Sequence, residues 1–251
     1  MKSKESDIIM SSVGAMEGCK MELKQIYNKW YFERKYRYSK KKNAIQHHYF
    51  SMLVWANRHS PWNLLNGCGK KALDIGCAYG FITDLLSRLG YEAMGIDVSK
   101  YAVMRGGEFG MKDLLVSDVS HPPFKAMSFD LITCFEVLEH LPDPTSALTG
   151  IYELLDSQGI FLAITPSVGS VAAAISVLSR ENPSIHPSVK PPNEWIETLS
   201  NLQFSRIKLE PFLLLPMPPT LLNRYFMVKR TSRFASHVRI LAIKPSAEEN
   251  R

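Results

Sequence analysis

The clearest regularity in the chain starts at Lys71, where short apolar runs alternate with amphipathic stretches. Lys71–Cys77 (KALDIGC) is an apolar run ended by glycines and predicts a strand. Gly80–Leu89 reads as a helix, with Gly90 as its stop. Tyr91–Val98 predicts a second strand, Ser99–Gly106 a short helix, Leu114–Val119 a third strand and Phe129–Val137 a fourth. Asp143-Pro144 opens a helix through Leu155, because Asp caps free backbone N–H groups and Pro has no N–H to lose at the first turn. Gly159–Thr165 predicts a fifth strand. Strands separated in this way by helices form a doubly wound α/β sheet, parallel and covered on both faces.

The alternation breaks toward the C-terminus. Asn193–Leu202 is helical, but Phe204–Leu215 and His237–Lys244 read as strands with no helical crossover between them. They predict an antiparallel pair whose connection, which includes the proline-rich Pro216–Pro219, carries an insertion. Ahead of the sheet, Ile45, Tyr49, Met52 and Ala56 recur at helical spacing, and Ser60-Pro61 closes that helix. The expected organisation is a flexible tail at 1–20, an N-terminal helical addition at 21–66, and a cofactor-binding domain at 67–251 with insertions near 167–192 and 216–236.

Composition narrows the picture only modestly. The 251 residues are 45% hydrophobic and 22% charged, an ordinary globular balance. The net charge of +6 favours acidic partners without choosing among nucleic acid, anionic lipid and phosphorylated ligands. Four cysteines form no C-x-x-C pair, and Cys77 and Cys134 fall in apolar strands, so free buried thiols in a reducing, cytoplasmic setting are expected. No apolar run approaches the roughly 18 residues of a spanning helix; Val171–Leu178 covers about two turns.

Chemistry concentrates where the first strand hands over to its helix. In Leu73-Asp74-Ile75-Gly76-Cys77-Ala78-Tyr79-Gly80, small residues at 76, 78 and 80 let the backbone turn tightly and approach a ligand. The spacing is G-x-A-x-G, not the dinucleotide fingerprint G-x-G-x-x-G. Asp74 would oppose a pyrophosphate but suit a cationic amino group. Asp97, followed by Val98, ends the second strand, where a carboxylate accepts from two ribose hydroxyls. Asp118, followed by Val119, ends the third and can reach an adenine amino group.

These residues resemble the class I S-adenosylmethionine-dependent methyltransferases, and among them the large group that includes the ubiquinone-biosynthesis O-methyltransferases. The resemblance spans about Ala72 to Pro166, with a weaker echo to Pro245. It rests on LDIGCAYG, GIDVS (Gly95–Ser99), SDVSHPPF (Ser117–Phe124), FDLITCFEVLEHLPDP (Phe129–Pro144) and ELLDSQGIFLAITP (Glu153–Pro166). It implies a Rossmann-like seven-stranded sheet with its last strand antiparallel, S-adenosylmethionine as cofactor, and a cofactor site that includes Asp74, Gly76, Cys77, Ala78, Gly80, Asp97, Val98, Asp118, Val119 and Phe135. The family usually has glycine where Ala78 stands.

Methyl transfer needs little from a protein beyond alignment and exclusion of water, but a hydroxyl acceptor also needs a base or a metal. After the fourth strand stands Glu136-Val137-Leu138-Glu139-His140, neither the D/N-P-P-aromatic motif of base-amine methyltransferases nor a Pro-Cys nucleophile. This points to oxygen or small-molecule nitrogen acceptors. Two readings of E-x-x-E-H stay open. In one, Glu136 neighbours the cofactor, Glu139 is solvated, and His140 orders the loop or serves as general base. In the other, Glu136, Glu139 and His140 bind Mg²⁺ or another divalent cation. Metal-dependent relatives, including small-RNA 3′-end 2′-O-methyltransferases, look similar here; the RNA enzymes add a histidine after the fifth strand, for which His186 is the candidate.

On the acceptor side, Arg34–Lys42 interleaves basic residues with tyrosines, which suits RNA by charge and stacking, or a solvated helix with half-buried tyrosines. Adjacent His47 and His48 point in different directions on a helix. The leading expectation is methyl transfer to a small-molecule hydroxyl. An RNA 2′-O-methyltransferase and a non-catalytic cofactor-binding partner protein are the alternatives.

Overall fold

The computed structural model describes residues 26–167, 186–216, 225–229, 235–246 and 248. The expected tail at 1–20 and the apolar run Val171–Leu178 lie outside them. A short π-helical segment (Trp30–Lys35) and a 3-10 turn (Tyr38–Lys40) lead into helix α1 (Lys42–Asn57). Then follow β1 (Lys71–Ile75), α2 (Phe81–Arg88), β2 (Glu92–Asp97), α3 (Lys100–Glu108), β3 (Leu114–Val116) and β4 (Phe129–Phe135). A 3-10 turn (Leu138–His140), α4 (Pro144–Leu154), β5 (Leu155–Pro166), α5 (Pro192–Asn201), β6 (Ser205–Pro216), β7 (Tyr225–Lys229) and β8 (His237–Ile243) complete the order.

The strands form one sheet in the order β3-β2-β1-β4-β5-β8-β6-β7. β1 to β5 pair in parallel, and the last strand, β8, enters antiparallel between β5 and β6. This is the expected seven-stranded Rossmann-like sheet with an added edge strand, β7, paired antiparallel to β6. The segment Leu221–Phe234 mixes apolar and basic residues, which hid that strand in the sequence. β3 stops at Val116, earlier than expected, because a turn follows in which the Asp118 carboxylate accepts from Ser120 N–H. β5 starts at Leu155 rather than Gly159, since the chain passes straight from α4 into pairing with Phe129.

Alternation along the central strands builds two cores. β5 sends Ile160, Leu162 and Ile164 to the face covered by α1 and α2, and Phe161 and Ala163 to the face covered by α4 and α5. Asp143 caps α4 as its sequence predicts, accepting from the N–H groups of Thr145 and Ser146. Burial on both faces is what a largely parallel sheet requires. The strand order reverses between β1 and β4, so the carboxyl ends of these strands open a crevice, the usual ligand position in this architecture. Among the described residues, no helix is long and apolar enough to cross a membrane.

Candidate functional site

The crevice is a cavity of about 500 Å³, within the usual range for small-molecule sites. Its floor is the turn after β1. Gly76 has φ +72, Ala78 +48 and Gly80 +74, so three of five residues are left-handed. The N–H groups of Gly76 and Cys77 both donate to the Ile96 carbonyl, at 2.8 and 3.0 Å, tying the turn to β2. A Cβ on Gly76 would lie 2.2 Å from Val137 Cγ2. Gly76→Ala is therefore expected to destabilise the fold by roughly 2–4 kcal/mol, combining left-handed strain with a steric clash. Thermal denaturation checks this; an unchanged Tm contradicts the geometry. Ala78 takes up left-handed strain that glycine avoids.

Asp97 stands at the end of β2 on the cavity lining. Its Oδ2 accepts from Ala78 N–H at 2.8 Å and its Oδ1 from Ser99 N–H at 2.7 Å, so one carboxylate joins the turn to the start of α3. Burial pushes its pKa up to about 6, against those two hydrogen bonds. Val98, Asp118 and Val119 line the same side, and Phe135 lies opposite, stacked 4.5 Å from Tyr49.

Three predicted cofactor residues lie elsewhere than expected. Asp74, Cys77 and Gly80 are outside the cavity lining. Asp74 points under the floor, where Thr133 and Thr83 hydroxyls donate to it at 2.8 and 3.1 Å. Pleating sends its side chain into the core, and burial pushes its pKa up to about 7. Cys77 turns its thiol toward Gly95, and Gly80 caps α2. These residues shape the turn from below.

The far wall follows β4. Glu139 is buried; its Oε2 accepts from the Thr165 hydroxyl at 3.2 Å and its Oε1 lies 3.6 Å from His140 Nε2. Glu139, His140 and His186 bring ligand atoms within 4.8 Å of one another, although His186 comes from beyond β5. The two imidazole rings are 4.6 Å apart. Burial, reinforced by the charge of the neighbouring Glu136, holds the Glu139 carboxyl well above the usual range. The solvated Glu139 of one sequence reading is thus excluded. A carboxylate and two imidazoles with a second carboxylate alongside are a donor set that suits a divalent cation, and a cation would offset the raised Glu139 pKa.

The N-terminal segment forms the roof. Tyr27, Tyr31, Phe32, Tyr36 and Tyr38 face the cavity, so the tyrosines of the basic segment point inward. Arg34, Lys35, Arg37 and Lys40 remain exposed around them. Glu33 fastens the roof, accepting from the Tyr79 hydroxyl at 2.8 Å and the Ser39 hydroxyl at 2.7 Å. His47 is exposed while His48 is buried on the lining, so the pair does diverge. Burial pushes His48 down to about 4, leaving it neutral. Lys41, Tyr49 and His237 also line the cavity, and of these His237 carries no local sequence signal.

Residues 73–163 match the family described as "Methyltransferase domain". An S-adenosylmethionine-dependent methyltransferase from Archaeoglobus fulgidus superimposes with a TM-score of 0.64 at 20% identity, covering 86% of this chain and 99% of that one. One from Thermotoga maritima, described as a possible histamine N-methyltransferase, gives 0.60 at 17% identity over 86% and 99%. With the sheet order and the crevice at its switch point, these define the class: the chain carries a class I S-adenosylmethionine-dependent methyltransferase domain. Among curated relatives it is similar to the ubiquinone biosynthesis O-methyltransferases of Psychrobacter arcticus, 33% identical over 107 residues, and of Xanthomonas axonopodis pv. citri, 33% over 123. Those matches cover 39% and 47% of this chain, and the chain spans only 41% and 52% of those relatives.

Proposed function

We propose that this chain transfers the methyl group of S-adenosylmethionine to a hydroxyl oxygen of a small molecule, at a centre where Glu136, Glu139, His140 and His186 hold a divalent cation. The observation that carries this reading is the convergence of Glu139, His140 and His186 on the wall of the cofactor cavity. The likeness to ubiquinone biosynthesis O-methyltransferases supports oxygen as the acceptor atom.

The residues fit both groups. Gly76 and Ala78 bring the backbone of the turn to the cavity lining, and Asp97 presents a buried carboxylate suited to ribose hydroxyls. S-adenosylmethionine supplies a methyl on a sulfonium, a leaving group that needs no protonation. A divalent cation at the glutamate–histidine cluster would lower the acceptor hydroxyl's pKa. The chain's own residues do the rest. Asp97 and the turn fix the cofactor, Phe135 and Tyr49 wall the reaction space, and the tyrosine roof excludes water. His140 is the base if turnover proves independent of metal.

The test is turnover on a panel of phenolic and aliphatic hydroxyl acceptors with labelled S-adenosylmethionine, with and without chelator. Metal-dependent O-methyl product supports the reading; full activity in chelator leaves His140 as base. Cofactor binding with no turnover on any acceptor supports a non-catalytic partner protein instead.

The same reading sets a pH dependence. Asp97's raised pKa means the folded chain holds this proton more tightly than the unfolded one. That contribution to stability is present below 3.8 and lost as pH rises through about 6. Cofactor hydroxyls favour the ionised form, so S-adenosylhomocysteine affinity is expected to fall as pH drops below about 6. Calorimetry between pH 5 and 8 measures it, and a flat profile contradicts the assignment of Asp97.

One observation favours RNA as a second acceptor class: Arg34, Lys35, Arg37 and Lys40 are exposed on the roof beside the cavity. RNA binding would weaken steeply with salt, and neutralising these four residues would flatten the slope. No RNA binding at low salt retires this reading.

A further inference from the structure

We propose that His237 is a positioning residue of this centre, acting through Glu136; the inference rests on the metal reading above. His237 opens β8, nearly a hundred residues beyond the E-x-x-E-H segment, and the sheet places it there. Its neighbours in register are Pro166 on β5 and Phe212 on β6. Backbone bonds on both sides hold the position: Ser236 N–H donates to the Phe212 carbonyl and Ser167 N–H to the Ser236 carbonyl, each at 3.0 Å. The imidazole stacks on the buried Phe212 ring, with centroids 5.7 Å apart and planes 26° apart, which fixes its plane.

The ring's two nitrogens then have distinct surroundings. Nδ1 lies 2.8 Å from the Ser236 hydroxyl. With that hydroxyl donating, Nε2 carries the ring proton and faces Glu136 Oε2 at 3.7 Å. The neutral imidazole suffices, so no change of charge is needed.

Glu136 is a residue whose position needs holding. It sits at φ +57, a conformation that strains a non-glycine residue and persists where its surroundings over-determine it. Its N–H donates to the Ile164 carbonyl at 2.9 Å, and its carboxylate lies between Glu139 on one side and His237 on the other. The side chain is 31% exposed, so without the imidazole its carboxylate is free to swing toward solvent. His237 therefore keeps a second carboxylate oxygen turned toward the Glu139, His140 and His186 cluster. Partners of this kind behind metal-binding carboxylates typically contribute 10- to 100-fold in affinity.

The experiment measures Mn²⁺ binding by electron paramagnetic resonance on the full chain saturated with S-adenosylhomocysteine. His237→Ala is expected to weaken Mn²⁺ about 10-fold. His237→Gln, whose amide N–H reaches where Nε2 stood, should restore affinity to near the wild-type value. Both variants lose the stack on Phe212, so both are expected to melt below the wild-type chain; recovery of Mn²⁺ affinity in His237→Gln alone is a pattern that loss of packing does not give. Glu139→Gln serves as the control for the centre. Wild-type Mn²⁺ affinity in His237→Ala, with binding lost in Glu139→Gln, overturns the role of His237 and leaves the metal reading standing. Failure of His237→Gln to recover overturns it equally. Absence of Mn²⁺ binding in the wild-type chain overturns the metal reading and this inference with it.

Discussion

Replacing Asp97 with alanine is expected to weaken S-adenosylmethionine and S-adenosylhomocysteine binding about 30- to 150-fold, the equivalent of roughly 2–3 kcal/mol for a lost charged hydrogen-bonding partner. Two effects combine. The carboxylate faces the cavity, and it also accepts from Ala78 N–H, so its removal loosens the turn that forms the floor. The strain at Ala78 then has one restraint fewer. Asp97→Asn keeps the size and one acceptor oxygen, and its loss should be smaller. Asp118→Ala is the comparator: Asp118 is exposed and accepts from Ser120 N–H, so its removal should cost clearly less. Calorimetry gives the affinities, and melting temperatures separate loss of ligand contact from loss of fold. Equal affinities for Asp97→Ala and the wild-type chain contradict the site.

Glu139→Gln is expected to lower divalent-cation affinity by on the order of 100-fold or more, and metal-dependent turnover with it. The substitution keeps the side chain's volume and can still accept from the Thr165 hydroxyl. It removes only the ability to become a carboxylate. Burial and the Glu136 charge already oppose ionisation of Glu139, so the glutamine variant should melt at or above the wild-type temperature. Cofactor affinity should barely change, since Glu139 is on the far wall from Asp97. A stable variant that binds cofactor and has lost metal separates a ligand from a structural residue. A variant with unaltered metal affinity and turnover contradicts the centre.

What could be read from the sequence was what lies close together along the chain. The turn Asp74 to Gly80 and the strand-end carboxylates Asp97 and Asp118 are local signals, each set by one strand and the residues just after it. The parallel sheet and the capped helix at Asp143-Pro144 were legible for the same reason. Direction was less legible than position. Asp74 stands where its motif puts it, yet its carboxylate points under the turn toward Thr83 and Thr133, because pleating rather than composition decides the face. Gathering of distant residues was legible only in part. His186 could be named as a candidate, but its closeness to Glu139 and His140 depends on how the chain returns after β5. His237 gave no signal, because only the antiparallel insertion of β8 beside β5 brings it to Glu136. The tyrosines of the basic segment were ambiguous between stacking faces and half-buried helix positions. In the structure they line a π-helical and 3-10 roof over the cavity, a geometry that no simple periodicity encodes.

The most direct test of the central claim is a calorimetric titration of the wild-type chain with S-adenosylhomocysteine beside one with NAD. The turn G-x-A-x-G, its hold on Ile96 and the buried Asp97 predict saturable one-to-one binding of S-adenosylhomocysteine, lost in Asp97→Ala, and no binding of NAD. Binding of NAD, or no heat with S-adenosylhomocysteine at any attainable concentration, would contradict it.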